Sequence, residues 1–378
     1  MRILMLNYEF PPLGGGASPV SYEIAEHFSK KCDFDIDVVT MGYKNLLSYE
    51  KINNHFRIFR VKCWRSKKEI CYPWEQATYL ISGFFKCIKL CLKKKYDVCH
   101  CHFIIPTGLL AYFLKIIFGI PYFVTSHGSD VINYNPRFKN IYPQVTWIWK
   151  KLIKNAQFII TPSNFLSSQI KEVYPIISNE KLTVIPNGID LNKFVPLKKK
   201  RNILVVSRLF INKGIQDFLK ALSNLELKDW HVNIVGEGPY RSHLEKLVSE
   251  YNLNEKVTFY GWLENKSREI KKAFGEAEIF VLTSYFENMN VTLLEAMLSG
   301  CAVLASDVGG NSEIVGDCGI LFPAGNIEQL HNKIKQLISD QRLRYELQQK
   351  GIDRIKNKFS WENIIKQYVF IINSTKRA

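Results

Sequence analysis

The 378-residue sequence has no apolar run long enough to cross a bilayer. Its nearest approach, GLLAYFLKIIFGI at 108–120, is interrupted by Lys115. The start, MRILMLNYEFPP, lacks the apolar core of a secretory leader: the run is short and ends in Glu9 and a proline pair, so it reads as a buried strand. Nine cysteines with no secretion signal beside them fit free, mostly buried thiols in a reducing cytosol better than a disulfide framework. The dinucleotide fingerprint G-x-G-x-x-G is missing. Acids are scarce: 35 Asp and Glu stand against 51 Lys and Arg, a formal charge of +16. Such a charge suits nucleic acid, an anionic membrane face or small phosphorylated ligands. No nucleic-acid module is legible, however, and the bases are scattered rather than interleaved with stacking aromatics. A nucleic-acid partner is therefore not expected.

What is present describes a folded chain, 47% apolar and 23% charged, long enough for two domains. The first half repeats an apolar strand, a polar or glycine-bearing turn, and a helical stretch. RILMLNY leads through LGGGASP into VSYEIAEHFSKK; FDIDVVTM, FRIFRVKC, DVCHCHF, PYFVTSHG and FIITPS are further strands. Alternating strands and helices predict a parallel sheet covered on both faces. Near IPNGIDLNKFVPLKKKR (185–201) Asn-Gly, two prolines and a basic run read as a linker. The rhythm then restarts with NILVVSRL, WHVNIVGEG, KVTFYGW, EIFVLTS, CAVLASD and GILFPAG. The expected architecture is α/β, two Rossmann-like doubly wound domains: 1–190, a linker at 191–200, and 201–358. A last helix at 359–378 carries Trp361, Ile364, Ile365, Tyr368 and Phe370 as apolar positions. Ligands of such sheets sit beyond the carboxyl ends of the strands, so two domains facing one another would build a cleft.

DVCHCHF holds metal-ligating residue types, but strand alternation sends Cys99 and Cys101 one way and His100 and His102 the other, so four ligands cannot converge. No metal site is expected. The loop LGGGASP, with Gly15 and Gly16, is either a phosphate cradle at a helix start or an ordinary turn. In VTSHGSDV, His127 ends a strand beside small residues; it either faces a substrate or is a structural histidine, with Ser129 or Asp130 capping the next segment. Arg208 and Lys213 in VVSRLFINKG suit a diphosphate, a bidentate grip and a point charge, or are two exposed bases. Gly236 and Gly261 end two more strands and either wall a nucleobase or turn the chain.

The stretch SYFENMNVTLLEAMLSG carries Glu287 and Glu295 eight positions apart. On one straight helix they would stand about 12 Å apart along the axis and about 80° around it, a spacing that suits an extended ligand better than one scissile bond. Asn288 and Asn290 are both candidate N-caps, placing Glu287 before the helix and Glu295 within it.

Together these motifs resemble the retaining glycosyltransferases of family 4, with the GT-B fold, over nearly the whole chain. The resemblance rests on E-x7-E from Glu287 to Glu295, on SRL…KG upstream, and on HGSD and PPLGGG. It implies that Glu295 holds the donor's ribose and that Glu287 contacts the transferred sugar. It implies that Arg208 and Lys213 bind the diphosphate, helped by backbone N–H groups of Asn290, Val291 and the Gly15–Gly16 loop. His127 would sit by the sugar's 6-hydroxyl, with Asp130 on the acceptor side. Asn288, Met289, Gly236 and Gly261 complete the expected donor site, and the last helix would cross back to the first domain. Asn288 stands where the family often has Gly, and Asn290 where it often has Pro, which leaves the sugar unassigned. The implied reaction is hexosyl transfer from a UDP- or GDP-sugar to a glycan or lipid-linked acceptor, without cofactor or metal; no D-x-D acidic cluster stands out. A sugar-nucleotide epimerase of the same architecture is the alternative.

YLISGFFKCIKLCLKKKYD (79–97), an apolar segment ending in lysines, would as a helix suit an anionic bilayer surface, or be a core helix with solvated lysines. The expected location is the cytosol, peripheral on the inner face of the plasma membrane.

Overall fold

The computed structural model describes residues 1–31, 34–68, 70–134, 141–265 and 267–376. It divides into two compact units, Met1–Pro186 with Ile364–Ala378, and Asn187–Asn363.

The first unit runs β1 (Arg2–Leu6), α1 (Ala17–Lys31), β2 (Asp35–Met41), β3 (Tyr49–Asn53), β4 (Phe56–Val61), α2 (Pro73–Lys93), β5 (Val98–His102), α3 (Thr107–Phe118), β6 (Tyr122–Thr125), α4 (Tyr142–Asn155), β7 (Ile159–Thr161), α5 (Asn164–Val173) and β8 (Leu182–Val184). Its strands lie in the order β3-β4-β2-β1-β5-β6-β7-β8. Every pairing is parallel except β3 with β4. The parallel strands are almost wholly buried, which is why they read as continuous apolar runs. β3 escapes that reading because YEKIN is an exposed, polar edge strand.

The second unit holds β9 (Lys200–Val206), α6 (Ile215–Leu222), β10 (His231–Val235), α7 (Arg241–Glu250), β11 (Val257–Gly261), α8 (Arg268–Glu276), β12 (Ala277–Leu282), α9 (Val291–Leu298), β13 (Ala302–Ser306), α10 (Asn311–Val315), β14 (Ile320–Phe322), α11 (Ile327–Ser339) and α12 (Gln341–Lys358). All six strands match the expected segments. They are parallel, in the order β11-β10-β9-β12-β13-β14. Counted within the unit this is 3-2-1-4-5-6, the doubly wound nucleotide-binding order. Alternation divides its core between the two faces: Ile203, Val205, Ile279 and Val281 join one cluster, Leu204, Phe280, Leu282 and Val303 the other.

The linker expected at 191–200 is not one. Phe194 is buried against Phe274, Leu197 N–H donates to the Gly275 carbonyl, and the Lys199 ammonium donates to the carbonyls of Ala277 and Ser299. These contacts make the segment part of the second unit, and the boundary falls after Pro186. The final helix, α13 (Trp361–Lys376), buries Ile364, Ile365 and Tyr368 as the sequence predicts, but Phe370 is 72% exposed and Ile371 and Ile372 take its place. From Ile364 onward it belongs to the first unit.

Candidate active site

In the second unit the chain leaves β9 at Val206 and β12 at Leu282, the two strands on either side of the point where strand order reverses. Ligands of doubly wound sheets bind at that switch point. The β9 loop carries Arg208 and Lys213, the β12 loop Glu287. Lys213 Nζ lies 2.6 Å from Glu287 Oε1, joining residues 74 positions apart. Two further links hold the loops together: Thr283 Oγ1 donates to the Lys213 carbonyl at 2.9 Å, and Tyr285 N–H donates to the Asn212 carbonyl at 3.0 Å. Gly214 makes this approach possible. Its φ is +66°, and a Cβ there would lie 2.0 Å from the Thr283 carbonyl oxygen. Arg208 is exposed, its guanidinium 5.4 Å from the Phe210 ring centre, with no ion pair among the described residues.

The straight-helix spacing of the two acids does not apply, because α9 begins only at Val291 and Glu287 lies in the preceding loop. Of the two candidate caps, Asn290 is the one used: its side chain accepts from Thr292 N–H at 2.9 Å. Met289 accepts from Asn187 N–H at 3.1 Å. Glu295, one turn into α9, is 3% exposed. Asn265 donates to its Oε1 at 3.1 Å and Lys193 Nζ lies 3.7 Å from the same oxygen. Burial pushes the Glu295 carboxyl up, and the Lys193 charge and the Asn265 hydrogen bond oppose it. On both acids these contacts fall on Oε1; none among the described residues falls on Oε2.

Sequence reasoning missed Lys193, Asn265 and the VGG turn at 308–310. A Cβ on Gly309, at φ +58°, would sit 1.8 Å from the Glu287 carbonyl oxygen, and Gly310 N–H donates to the Asn288 carbonyl at 2.7 Å. The turn after β13 thus seats the segment bearing Glu287. The signal was available, a strand followed by glycines and a helix. Lys193 was hidden inside the supposed linker.

Gly236, at φ +142°, has a packing role as well: an added Cβ would sit 1.8 Å from the Ser207 carbonyl oxygen, so the glycine lets the β10 turn close on the β9 loop. Gly261, at φ +70°, turns the chain beside Glu237. In the first unit Gly15 and Gly16 are exposed with open space around them just before α1, whereas the glycine demanded by backbone shape is Gly14, at φ +92° against the Glu9 side chain.

His127 follows β6. Its Nε2 lies 3.0 Å from Nδ1 of His102 at the end of β5, with the two rings stacked 5.3 Å apart. His100 Nε2 meets Thr125 Oγ1 at 2.9 Å. Cys99 and Cys101 lie together on the opposite face, their sulfurs 3.9 Å apart, so the alternation deduced for DVCHCHF holds. Burial drives all three imidazoles toward the neutral form, His127 to about 3. Asp130 is not presented to an acceptor: Oδ1 accepts from Ser126 Oγ, His127 N–H and Gly128 N–H, and Oδ2 from Ile104 N–H at 2.7 Å. It staples the His127 loop. A D-x-D triplet, contrary to expectation, does exist at Asp35-Ile36-Asp37. It opens β2, at the edge away from the strand carboxyl ends, and Asp37 is taken up by Arg57, Tyr96 (2.6 Å) and Lys94 (3.0 Å).

Two doubly wound α/β units in one chain, each built on a largely parallel sheet, make up the GT-B architecture. Comparison with known families agrees. A family model described as Glycosyltransferase Family 4 matches residues 14–193, and one described as Glycosyl transferases group 1 matches 189–354. The chain belongs to this family and is a transferase of glycosyl groups. It is 29% identical, over 90% of its length and 89% of the relative's, to a UDP-Gal:alpha-D-GlcNAc-diphosphoundecaprenol alpha-1,3-galactosyltransferase of Escherichia coli. Among solved structures it resembles sucrose-phosphate synthase of Thermosynechococcus elongatus, with a TM-score of 0.84 and 22% identity, covering 99% of this chain and 98% of that one. It also resembles Anabaena HepE in complex with UDP-glucose, with a TM-score of 0.77 and 19% identity, covering 99% and 100%.

Proposed function

We propose that the protein is a retaining, metal-independent hexosyltransferase. It moves a sugar from UDP- or GDP-sugar to a hydroxyl of a glycan or lipid-linked acceptor, in the cytosol, for cell-envelope polysaccharide or glycoconjugate synthesis. The observation that supports this reading best is the Lys213–Glu287 pair, which joins the loops after β9 and β12 at the switch point of the second sheet, with Arg208 exposed on the same β9 loop. The relative named for a UDP-galactose donor and a diphosphoundecaprenol acceptor, and the UDP-glucose complex of HepE, point to the same donor chemistry.

In this reaction the bond between the anomeric carbon and the diphosphate oxygen breaks, and its electron pair stays on the departing diphosphate. Arg208 and Lys213 stabilise that charge, and the start of α9 adds its N–H dipoles. Lys213, held by Glu287, and Arg208, free to close on the diphosphate, supply two positive charges for this without a metal. The acceptor oxygen bonds to the anomeric carbon on the face the diphosphate leaves, and its proton passes to a leaving phosphate oxygen. Glu287 holds the sugar through Oε2 while Oε1 remains on Lys213; Glu295 holds the ribose through Oε2 while Lys193 and Asn265 fix Oε1. His127 orients the sugar's 6-hydroxyl.

A screen of UDP-, GDP- and ADP-sugars for binding and for acceptor-free hydrolysis tests the reading. Tight binding of one nucleotide and slow release of its sugar are expected. Appearance of an epimeric sugar nucleotide instead would make the protein an isomerase.

A further inference from the structure

The three helices α2, α3 and α4 pack side by side, with their inward residues in one core cluster. Their outward face breaks the pattern expected of a solvated surface. Ile81, Phe85 and Leu92 of α2 are between 65% and 74% exposed, and Phe113, Ile116 and Ile117 of α3 continue the apolar surface beside them. Between α2 and α3 runs a groove of about 390 Å³ lined by Leu80, Ile81, Phe84, Phe85, Leu109 and Phe113. On α4, Trp147 is 66% exposed. Contiguous apolar area of this kind is uncommon on a protein that remains in water.

The charges decide between occupants. The three helices contain one acid, Glu75, which is buried, and seven lysines. Not all the lysines are available: Lys86 lies over the Phe59 ring and Lys115 donates to the Asn155 carbonyl. Lys89, Lys93 and Lys154 remain exposed on these helices, and Lys151, also exposed, lies over the Tyr112 ring. Lys94 does not join them, because α2 stops at Lys93 and Lys94 turns inward to Asp37. A protein partner with mixed charges would leave lysines opposite lysines somewhere on this face. A surface of uniformly negative headgroups over an apolar interior matches it throughout, apolar side chains entering the acyl boundary and lysines reaching the phosphates.

We propose that the α2–α3–α4 face is a docking surface for an anionic phospholipid bilayer. This extends the expectation drawn from residues 79–97 alone, since half the apolar surface lies on helices outside that segment. It stands apart from the proposed transfer reaction, because no residue of the face belongs to the candidate active site.

The test is co-sedimentation of the full-length protein with phosphatidylcholine vesicles and with vesicles containing phosphatidylglycerol, at low and high salt. Binding only to the anionic vesicles, released by salt, is expected. The double variant Phe85→Glu/Ile116→Glu should lower partitioning at least tenfold. Lys89→Glu/Lys93→Glu should do the same while removing no apolar contact. Both should keep wild-type circular dichroism and nucleotide binding. Equal binding to the two vesicle types would overturn the proposal, as would wild-type partitioning of both variants. So would self-association in vesicle-free solution that the variants abolish, which would assign the face to a second copy of the chain.

Discussion

At the residue scale, the pair Lys213–Glu287 carries the most information. Both side chains are nearly buried, so each neutralises the other where water is largely excluded. Lys213→Ala, Arg208→Ala and Glu287→Ala are each expected to lower kcat/KM at least a hundredfold, about 2.7–4 kcal/mol of transition-state stabilisation. The two pair variants should not be additive, because removing either one strips the other of its setting. Arg208→Ala, with no ion pair to lose, should be additive with both. Initial rates on the donor identified by the screen would decide this, with far-ultraviolet circular dichroism confirming that each variant folds. Wild-type turnover in any of the three would remove the proposed site.

The histidine group predicts a pH dependence whose sign is fixed. An unfolded histidine takes up a proton near pH 6.5, whereas buried His100, His102 and His127 resist it, His127 down to about 3. Their lowered folded pKa values mean that stability is intact above about 6.5 and is lost as pH falls toward the folded values. For a folded value of about 3, as at His127, the imidazole kept neutral costs about 2 kcal/mol at pH 5. Asp130 and Glu295, raised by burial, act in the opposite direction, so the difference between wild type and His100→Phe isolates the effect. Denaturant midpoints at pH 7 and pH 5 should converge between the two proteins on acidification. Parallel midpoints would show that His100 is not held neutral.

At the scale of elements, the strands of the second unit were legible because they are buried on both faces and bounded by glycines. The features sequence could not reveal are close approaches between segments distant in the chain. Gly236 and Gly309 look alike in sequence, each a glycine after a strand, yet one packs against the β9 loop and the other seats Glu287. Asn288 and Asn290 were equivalent candidates until the start of α9 selected the second. The supposed linker misled because asparagine-glycine, prolines and lysines also describe a segment lying over a core, and the burial of Phe194 with the Leu197 and Lys199 hydrogen bonds separates the two cases. These contacts can be tested directly. Asn290→Ala removes the cap and should cost about 1 kcal/mol, largely restored by Asn290→Ser. Gly309→Ala cannot keep φ at +58° or the 1.8 Å approach without moving the Glu287 backbone. It should therefore depress turnover far more than its cost in stability implies, a split read by comparing kcat with the denaturation midpoint.

At the scale of the whole molecule, each unit has its own sheet and its own hydrophobic clusters. Ligand linkage should therefore be read unit by unit. A nucleotide held by the loops after β9 and β12 stabilises the fold that contains them. At a concentration a hundred times its dissociation constant, the gain is about 2.7 kcal/mol. Hydrogen exchange on the intact chain separates the units without cutting it. Saturating UDP, or GDP if the screen selects it, should slow exchange in β9, β12 and α9 by about a hundredfold, the kinetic equivalent of that free energy. Core amides of β5 and β6 should be much less affected, since their opening exposes a different cluster. The amides after Gly16 at the start of α1 give the most discriminating signal. Protection there together with the second unit would assign the Gly15–Gly16 loop to the diphosphate, as the family resemblance implies. Unchanged exchange at that loop, with β9 and β12 protected, would leave nucleotide recognition to the second unit alone.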